Sequence, residues 1–255
     1  VRKQINQTLL SILLVLLIFN NIIITSTSIS NNEQENTMKL TYTFTFSNPS
    51  ITQTTIHNTT FNRIHLPNCY MMESIGNPQL PVKPVNIGIP YGNTIESITF
   101  TSQQHTNTLS KNNQKIETNH PILPVQPHHP IGKQIHNQQL QMNTTRYNTD
   151  AFYPKTKGKI QPVQYCRGIQ ILPLTLYPVQ YNPKQKTMNH AQEITITLQL
   201  KKEKSTNIHP FYTGSQTDKQ YVQTLIFNPE ILSTYNQPSK DNLVEYQDGL
   251  CNPAN

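Results

Sequence analysis

The sequence predicts an all-β protein, an antiparallel β-sandwich, and three observations carry that expectation. Two clean period-two runs stand far apart in the chain: Leu40, Tyr42, Phe44 and Phe46 alternate with Thr41, Thr43 and Thr45, and Ile194, Ile196, Leu198 and Leu200 alternate with Thr195, Thr197 and Gln199. A period of two puts one strand face on a core and the other toward water. The composition, with 19 Pro, 8 Gly, no Trp and much Asn, Gln and Thr, supplies strand formers and turn formers rather than helix formers. No apolar helical pattern longer than one or two turns stands out, and Pro178 and Pro183 argue against a parallel central sheet. The 255 residues suit one main domain plus targeting sequence, or two small domains at most.

At the N-terminus, Arg2 and Lys3 precede an apolar run over residues 9–24, broken by Ser11, Asn20 and Asn21 and followed by Thr25, Ser26, Thr27 and Ser28. A charged start, a short apolar core and small residues near a cut describe a signal peptide, expected over residues 1–30. A membrane anchor is the alternative, but a spanning helix needs about 20 apolar residues. Contact with a membrane is therefore expected only through the uncleaved leader.

The first strand, around residues 40–46, closes at Asn48-Pro49-Ser50, and residues 51–56 return as its partner. Residues 61–70 form a short extended piece ending in Leu66-Pro67-Asn68. Then Val85, Ile87 and Ile89 alternate with Asn86, Gly88 and Pro90, and Ile95, Ile98 and Phe100 give the next strand of a local meander. From residue 105 to 141 the alternation disappears. Pro121, Pro124, Pro127 and Pro130 recur every three residues, which suits a polyproline-like ribbon without internal hydrogen bonds. Loops this long inside a compact domain tend to be functional, so this stretch is a candidate working part. A strand returns over residues 167–181; its apolar parity passes from Ile169 and Ile171 to Leu172, Leu174 and Leu176, which predicts a bulge near Leu172. Asn182-Pro183-Lys184 turns the chain into the second amphipathic run. After Lys204 the sequence is polar, and residues 241–255 show no pattern.

Charge and chemistry exclude several functions. The formal net charge is +7, two units of it from Arg2 and Lys3 in the leader, and the densest basic run, Lys201-Lys202-Glu203-Lys204, contains an acid. No basic stripe with aromatic partners stands out, so nucleic acid is not an expected partner. His120, His128, His129 and His136 share the Pro-rich stretch, but the adjacent pair lacks ligand spacing and no acid or Cys lies nearby; no metal and no cofactor are expected. Paired carboxylates and a glycine-rich phosphate loop are also missing. Asn58-Thr59-Thr60 and Asn143-Thr144-Thr145 match the glycosylation acceptor pattern, with Asn58 and Asn143 as candidates. Cys69, Cys166 and Cys251 allow at most one internal pair. Cys69 with Cys166 is the candidate disulfide, and buried free thiols are the alternative.

Two segments carry a resemblance. Gly76-Asn77-Pro78-Gln79-Leu80-Pro81-Val82, running on to Tyr91-Gly92, is followed a hundred residues on by Tyr165-Cys166-Arg167-Gly168-Ile169-Gln170-Ile171-Leu172-Pro173, then Tyr177-Pro178-Val179-Gln180-Tyr181-Asn182-Pro183. In that order they resemble the N-terminal propeptide of the gingipain-type cysteine peptidases, secreted proteases made as zymogens. The likeness implies a jelly-roll-like β-sandwich prodomain over residues 31–204, and a linker with the start of a caspase-like catalytic domain over 205–255, its first strand near residues 221–227. It places the catalytic His and Cys beyond the chain, so the chain is not itself expected to be an enzyme. It implies a secreted or cell-surface location, a cognate protease domain as partner, and roles as latency inhibitor and folding assistant. In that family a prodomain loop places a basic side chain in the specificity pocket, and the candidates are Lys111, Lys115, Lys133, Arg146, Lys155 and Lys157. Two other readings compete: a free-standing extracellular β-sandwich binding a glycan or a surface protein, with Tyr147, Tyr153, Tyr177 and Tyr181 as aromatic contacts, and a truncated protease gene product without a role.

Overall fold

The computed structural model describes residues 37–102, 113–127, 140–202 and 214–235. The expected leader, Cys251 and the segments around Lys111 and Lys133 lie outside them. In chain order the strands are β1 (Thr37–Thr45), β2 (Ser50–Ile56), β3 (Thr59–His65), β4 (Tyr70–Met71), β5 (Pro81–Gly88), β6 (Asn93–Thr101), β7 (Asn113–Glu117), β8 (Gly158–Ile160), β9 (Gln164–Cys166), β10 (Ile169–Leu176), β11 (Val179–Asn182), β12 (Thr187–Ala191) and β13 (Glu193–Lys202). Among the described residues, two helices, α1 (Thr144–Asn148) and α2 (Gln216–Leu225), and a 3-10 helix (Pro229–Thr234) complete the elements.

The expected antiparallel all-β architecture is the one observed, with every strand ladder among the described residues antiparallel. One sheet has the order β1-β13-β6, and a second runs β4-β5-β10-β8 with β9 also on β10. Both period-two runs lie in the first sheet, paired with each other from Thr37↔Lys201 to Thr45↔Glu193. Their apolar faces meet Val85, Ile87, Leu172, Leu174 and Leu176 of the second sheet in the main core, the sandwich that alternation requires once each sheet offers an apolar face. A third sheet, β11-β12-β7, and the hairpin β2-β3 stand beside it. They share a smaller core of Ile64, Leu80, Ile122, Val179, Tyr181 and Met188.

Several expectations change. β5 and β6 do not form a meander: β5 lies between β4 and β10, and β6 joins β13. No bulge interrupts β10 near Leu172, where the register with β5 runs without a shift from Ile171↔Gly88 to Leu176↔Lys83. Both faces of β10 are buried instead, Leu172, Leu174 and Leu176 in the sandwich core and Ile169 and Ile171 under the C-terminal helices. Among the described residues, a register shift occurs instead between β13 and β6 at Gln199/Leu200, where Glu96 of β6 is the extra residue. The third change lies in the Pro-rich stretch: residues 113–117 form β7 on β12, and residues 121–125 are hydrogen-bonded across to Asn62 and to residues 76–79, so this part is packed β structure rather than a free ribbon. Residues 216–225 form a helix, where the resemblance had placed the start of a strand. Finally, β2 pairs with β3 rather than with β1, and the strand expected over residues 167–181 is two, β10 and β11, in different sheets.

Gly158 on β8 leaves room for Phe100 of the first sheet, since a Cβ there would lie 2.4 Å from Cε1 of Phe100 on β6. Gly158→Ala is expected to cost about 1–3 kcal/mol through overpacking. Adding Phe100→Ala should recover part of that loss, and urea unfolding of both variants checks the coupling. An unchanged stability of the single variant would contradict this contact.

Candidate functional site

The Gly76 segment earns its residues from backbone geometry. Gly76 has φ +78°, and a Cβ on it would sit 3.1 Å from the backbone N of Asn143; only glycine combines the left-handed conformation with that approach. Its N–H donates to the Val125 carbonyl at 2.8 Å and its carbonyl accepts from Asn143 N at 2.9 Å. Val125 N donates to Asn77, and Gln79 N donates to Leu123. Gly76 thus ties together the chain entering and the chain leaving the stretch 127–140.

Gln126 closes the same base with its side chain. Its Oε1 accepts from Gln141 N at 3.0 Å, and its Nε2 donates to the Gln141 carbonyl at 2.9 Å and to the Pro124 carbonyl at 3.0 Å. Asn143 then caps α1, its Oδ1 accepting from Arg146 N at 3.0 Å. Tyr147 on α1 donates its hydroxyl to the Ile122 carbonyl at 2.6 Å, and burial raises its phenol pKa well above the ordinary value.

The six basic candidates divide by their surroundings. Lys111 and Lys133 lie outside the described residues. Lys115 sits on β7, opposite Asn189. Arg146 is held by the fold: its guanidinium carbon lies 4.4 Å from the centre of the Tyr153 ring, a cation–π contact, and its Nε is buried. Lys157 is half-buried, and burial lowers its ammonium pKa. Lys155 is exposed.

The tyrosines do not make an open aromatic platform. Tyr181 is buried in the smaller core, Tyr153 stacks on Arg146, and the Tyr147 hydroxyl is engaged. Asn58 is exposed at the tip of the β2-β3 hairpin, where His57 and Asn58 both have positive φ, while the Asn143 side chain serves as the helix cap. The expected Cys69–Cys166 bridge is not formed, and both thiols are free and half-buried. Cys69 precedes β4 at one side of the sheet and Cys166 lies on β9 at the other, three strand spacings away or on the order of 14 Å, well beyond disulfide reach. Burial raises the Cys69 thiol pKa, partly offset by Lys83. His120 is half-buried and gives its carbonyl to Asn62 Nδ2 at 2.9 Å. His128, His129 and His136 lie outside the described residues, among which no group of His, Cys, Asp and Glu has metal-binding geometry. No helix among the described residues is long and apolar enough to cross a membrane.

Sequence reasoning missed His190 on β12. It is wholly buried, and neither ring nitrogen has a hydrogen-bond partner among the described residues. Burial, assisted by the Lys157 charge, holds its pKa below the ordinary value. Nothing local distinguishes this His in the sequence; only the register of β12 between β11 and β7 puts it inside.

The described residues form an antiparallel β-sandwich with this anchored loop base beside it. A family model described as Propeptide_C25 matches residues 25–215, and the chain belongs to that family, the non-catalytic part of gingipain-type protease zymogens. Among solved structures, the chain is similar to the complex of Porphyromonas gingivalis RgpB pro- and mature domains, with 17% identity, 80% of this chain and 96% of that chain covered, and a TM-score of 0.56. A structure bearing on the zymogenic latency of gingipain K from Porphyromonas gingivalis matches with 20% identity, 71% of this chain and 95% of that chain covered, and a TM-score of 0.49. No curated protein matches the chain.

The His190 environment predicts acid sensitivity. Its folded-state pKa lies below the ordinary 6.5, so above that value neither state binds the proton and stability is level. As the pH falls below 6.5, the unfolded chain takes up a proton that the folded chain refuses, and stability declines by at most about 1.4 kcal/mol per pH unit for this one group. Urea unfolding at pH 7.5 and 5.5 should show that decline in the parent, and His190→Leu should show a smaller one. Equal pH dependence in both proteins would assign the acid sensitivity elsewhere.

Proposed function

We propose that this chain is the latency and folding domain of a gingipain-like cysteine protease. In this reading it lays part of the segment between β6 and β8 across the active-site cleft of that protease and presents a basic side chain to the specificity pocket. The observation that carries the reading is the loop base on a propeptide fold. Gly76, Gln126 and Asn143 fix both ends of residues 127–140 to the sandwich, which lowers the entropy lost when such a segment docks. The similar RgpB structure is a complex of pro- and mature domains, which supports a protease domain as partner here. The leader expected over residues 1–30 would fit export of the zymogen, and the residues after 204 would fit the connection toward a catalytic domain.

The surroundings of the six basic residues rank them. Arg146 and Lys157 are built into the fold, and Lys115 lies on a paired strand, so Lys111, Lys133 and Lys155 fit the pocket-filling role best. A charge carried into an acidic pocket discriminates strongly against a neutral replacement.

Alanine substitution at each of the six positions, with inhibition of a cognate gingipain-like protease measured in trans, tests this. One of Lys111→Ala, Lys133→Ala and Lys155→Ala should lose about 2–5 kcal/mol of binding with an unchanged melting temperature. Arg146→Ala should act through stability instead. Undiminished inhibition by all three of the first set would remove the pocket-filling mechanism, and a parent that inhibits no such protease would remove the latency function.

A further inference from the structure

The C-terminal described segment, residues 214–235, lies almost wholly beyond the family match, which ends at the residue before α2. It is nevertheless seated on the sandwich with great specificity. Val222, Ile226, Ile231, Leu232 and Tyr235 are buried against Ile169 and Ile171 of β10. The seat is shaped by Gly88, where a Cβ would lie 2.8 Å from Ile231 Cδ1 and 2.9 Å from Ile226 Cδ1.

Polar contacts read the backbone of β5 and the turn after it. Asn228, 1% exposed, accepts from Gly88 N at 2.7 Å and donates to the Gly88 carbonyl at 2.9 Å and to the Tyr42 hydroxyl at 2.8 Å. Phe227 N donates to the Asn86 carbonyl at 2.8 Å. Tyr91 N donates to Thr234 Oγ1 at 2.9 Å, and the Tyr235 hydroxyl donates to the Ile89 carbonyl at 2.8 Å while accepting from Gln170 N at 3.1 Å. Lys219 Nζ donates to the Tyr235 carbonyl, closing α2 onto the end of the segment.

Two features make this segment a separable part. It contributes no strand to the sheets of the described residues, and it meets the main core at its edge, where the Phe227 ring packs on Tyr42 and Phe44 and Asn228 reaches the Tyr42 hydroxyl. The cluster that it completes has only Ile169 and Ile171 as buried members on the sandwich side. Losing it would therefore leave the smaller core intact while exposing Ile169 and Ile171 and the Tyr42–Phe44 edge of the main core.

We propose that the outer face of β5 and β10 is a docking site for residues 214–235, and that this strap stays bound when the chain is cut between residues 203 and 213. Such a cut would leave the propeptide attached to any polypeptide that follows Tyr235. If the proposed function holds, that polypeptide is the protease, and a cut at this linker alone does not release it; docking of the strap itself does not depend on that reading.

The test uses the full chain with a recognition sequence for a site-specific protease placed within residues 203–213. After cutting, size-exclusion chromatography with mass spectrometry should find the C-terminal fragment co-eluting with the sandwich. Gly88→Val fills the seat of Ile226 and Ile231 and should weaken retention roughly 100-fold, the scale of a lost core contact. Ile231→Ser, made in the strap so that the sandwich sequence is untouched, should do the same with the β circular dichroism preserved. A parent fragment that elutes alone, or retention unaffected by Ile231→Ser, would overturn the docking site. Retention of the strap by a chain that inhibits no protease would sink the proposed function and leave the docking site standing.

Discussion

Much of the molecule depends on one constraint: β10 carries large buried side chains on both of its faces. Ile169 and Ile171 point one way and Leu172, Leu174 and Leu176 the other, all at most 6% exposed. A strand buried on both faces needs a layer on each side. The first sheet covers the leucines, and the C-terminal strap covers the isoleucines. Its edges are used as well, with β5 along one and β8 and β9 end to end along the other. Burying those five side chains contributes about 1.5–3 kcal/mol each, so the layers covering them are part of the fold's stability.

Glycine and asparagine solve the backbone problems that such packing creates. Gly88 and Gly158 leave room where layers meet, for Ile226 and Ile231 in one case and Phe100 in the other. Gly76 adopts a conformation that brings three chain segments within hydrogen-bonding distance. Asn228 presents an amide that pairs with both polar groups of the Gly88 peptide, as a neighbouring strand would, and so satisfies backbone that the strap takes out of water. The Tyr42 hydroxyl that completes the Asn228 contacts is buried, which pushes its pKa up to about 12 and keeps it a neutral partner.

The elements legible in the sequence were those whose pattern is local. The alternating runs of β1 and β13, the all-β class and the segment around Gly76 could be read directly, because period-two burial and a family-like run of residues both leave marks within ten residues or so. What could not be read depended on partners distant in sequence. The parity change in β10 has two physical causes that look identical in one dimension, a bulge or two buried faces, and only the strap residues more than 40 positions later decide between them. Residues 121–125 carry prolines that suggest an isolated ribbon, yet their carbonyls and the N–H groups of Leu123 and Val125 pair with Asn62 and residues 76–79. Of the six basic residues, the sequence could not say that Arg146 stacks on Tyr153 or that Lys157 is half-buried, since both facts arise from the turn that lies along β11.

The same logic connects fold to work. A domain that acts by laying a segment on a partner needs the segment's ends fixed, because each residue ordered on docking costs about 1–2 kcal/mol of backbone entropy. Here the ends at Gln126 and Gln141 are held by two hydrogen bonds from one side chain, and Gly76 repeats the closure through the backbone. Gly76 and its neighbours are in turn immobilised by the smaller core, into which Leu80 and Ile122 are both fully buried. Loop base and strap therefore stand on different parts of the sandwich, the smaller core for the loop, and the β5-β10 face with the Tyr42–Phe44 edge for the strap. Loosening the strap should consequently expose Ile169 and Ile171 without opening the loop base, so that attachment to a following polypeptide and presentation of the loop are physically separate properties of the same sandwich.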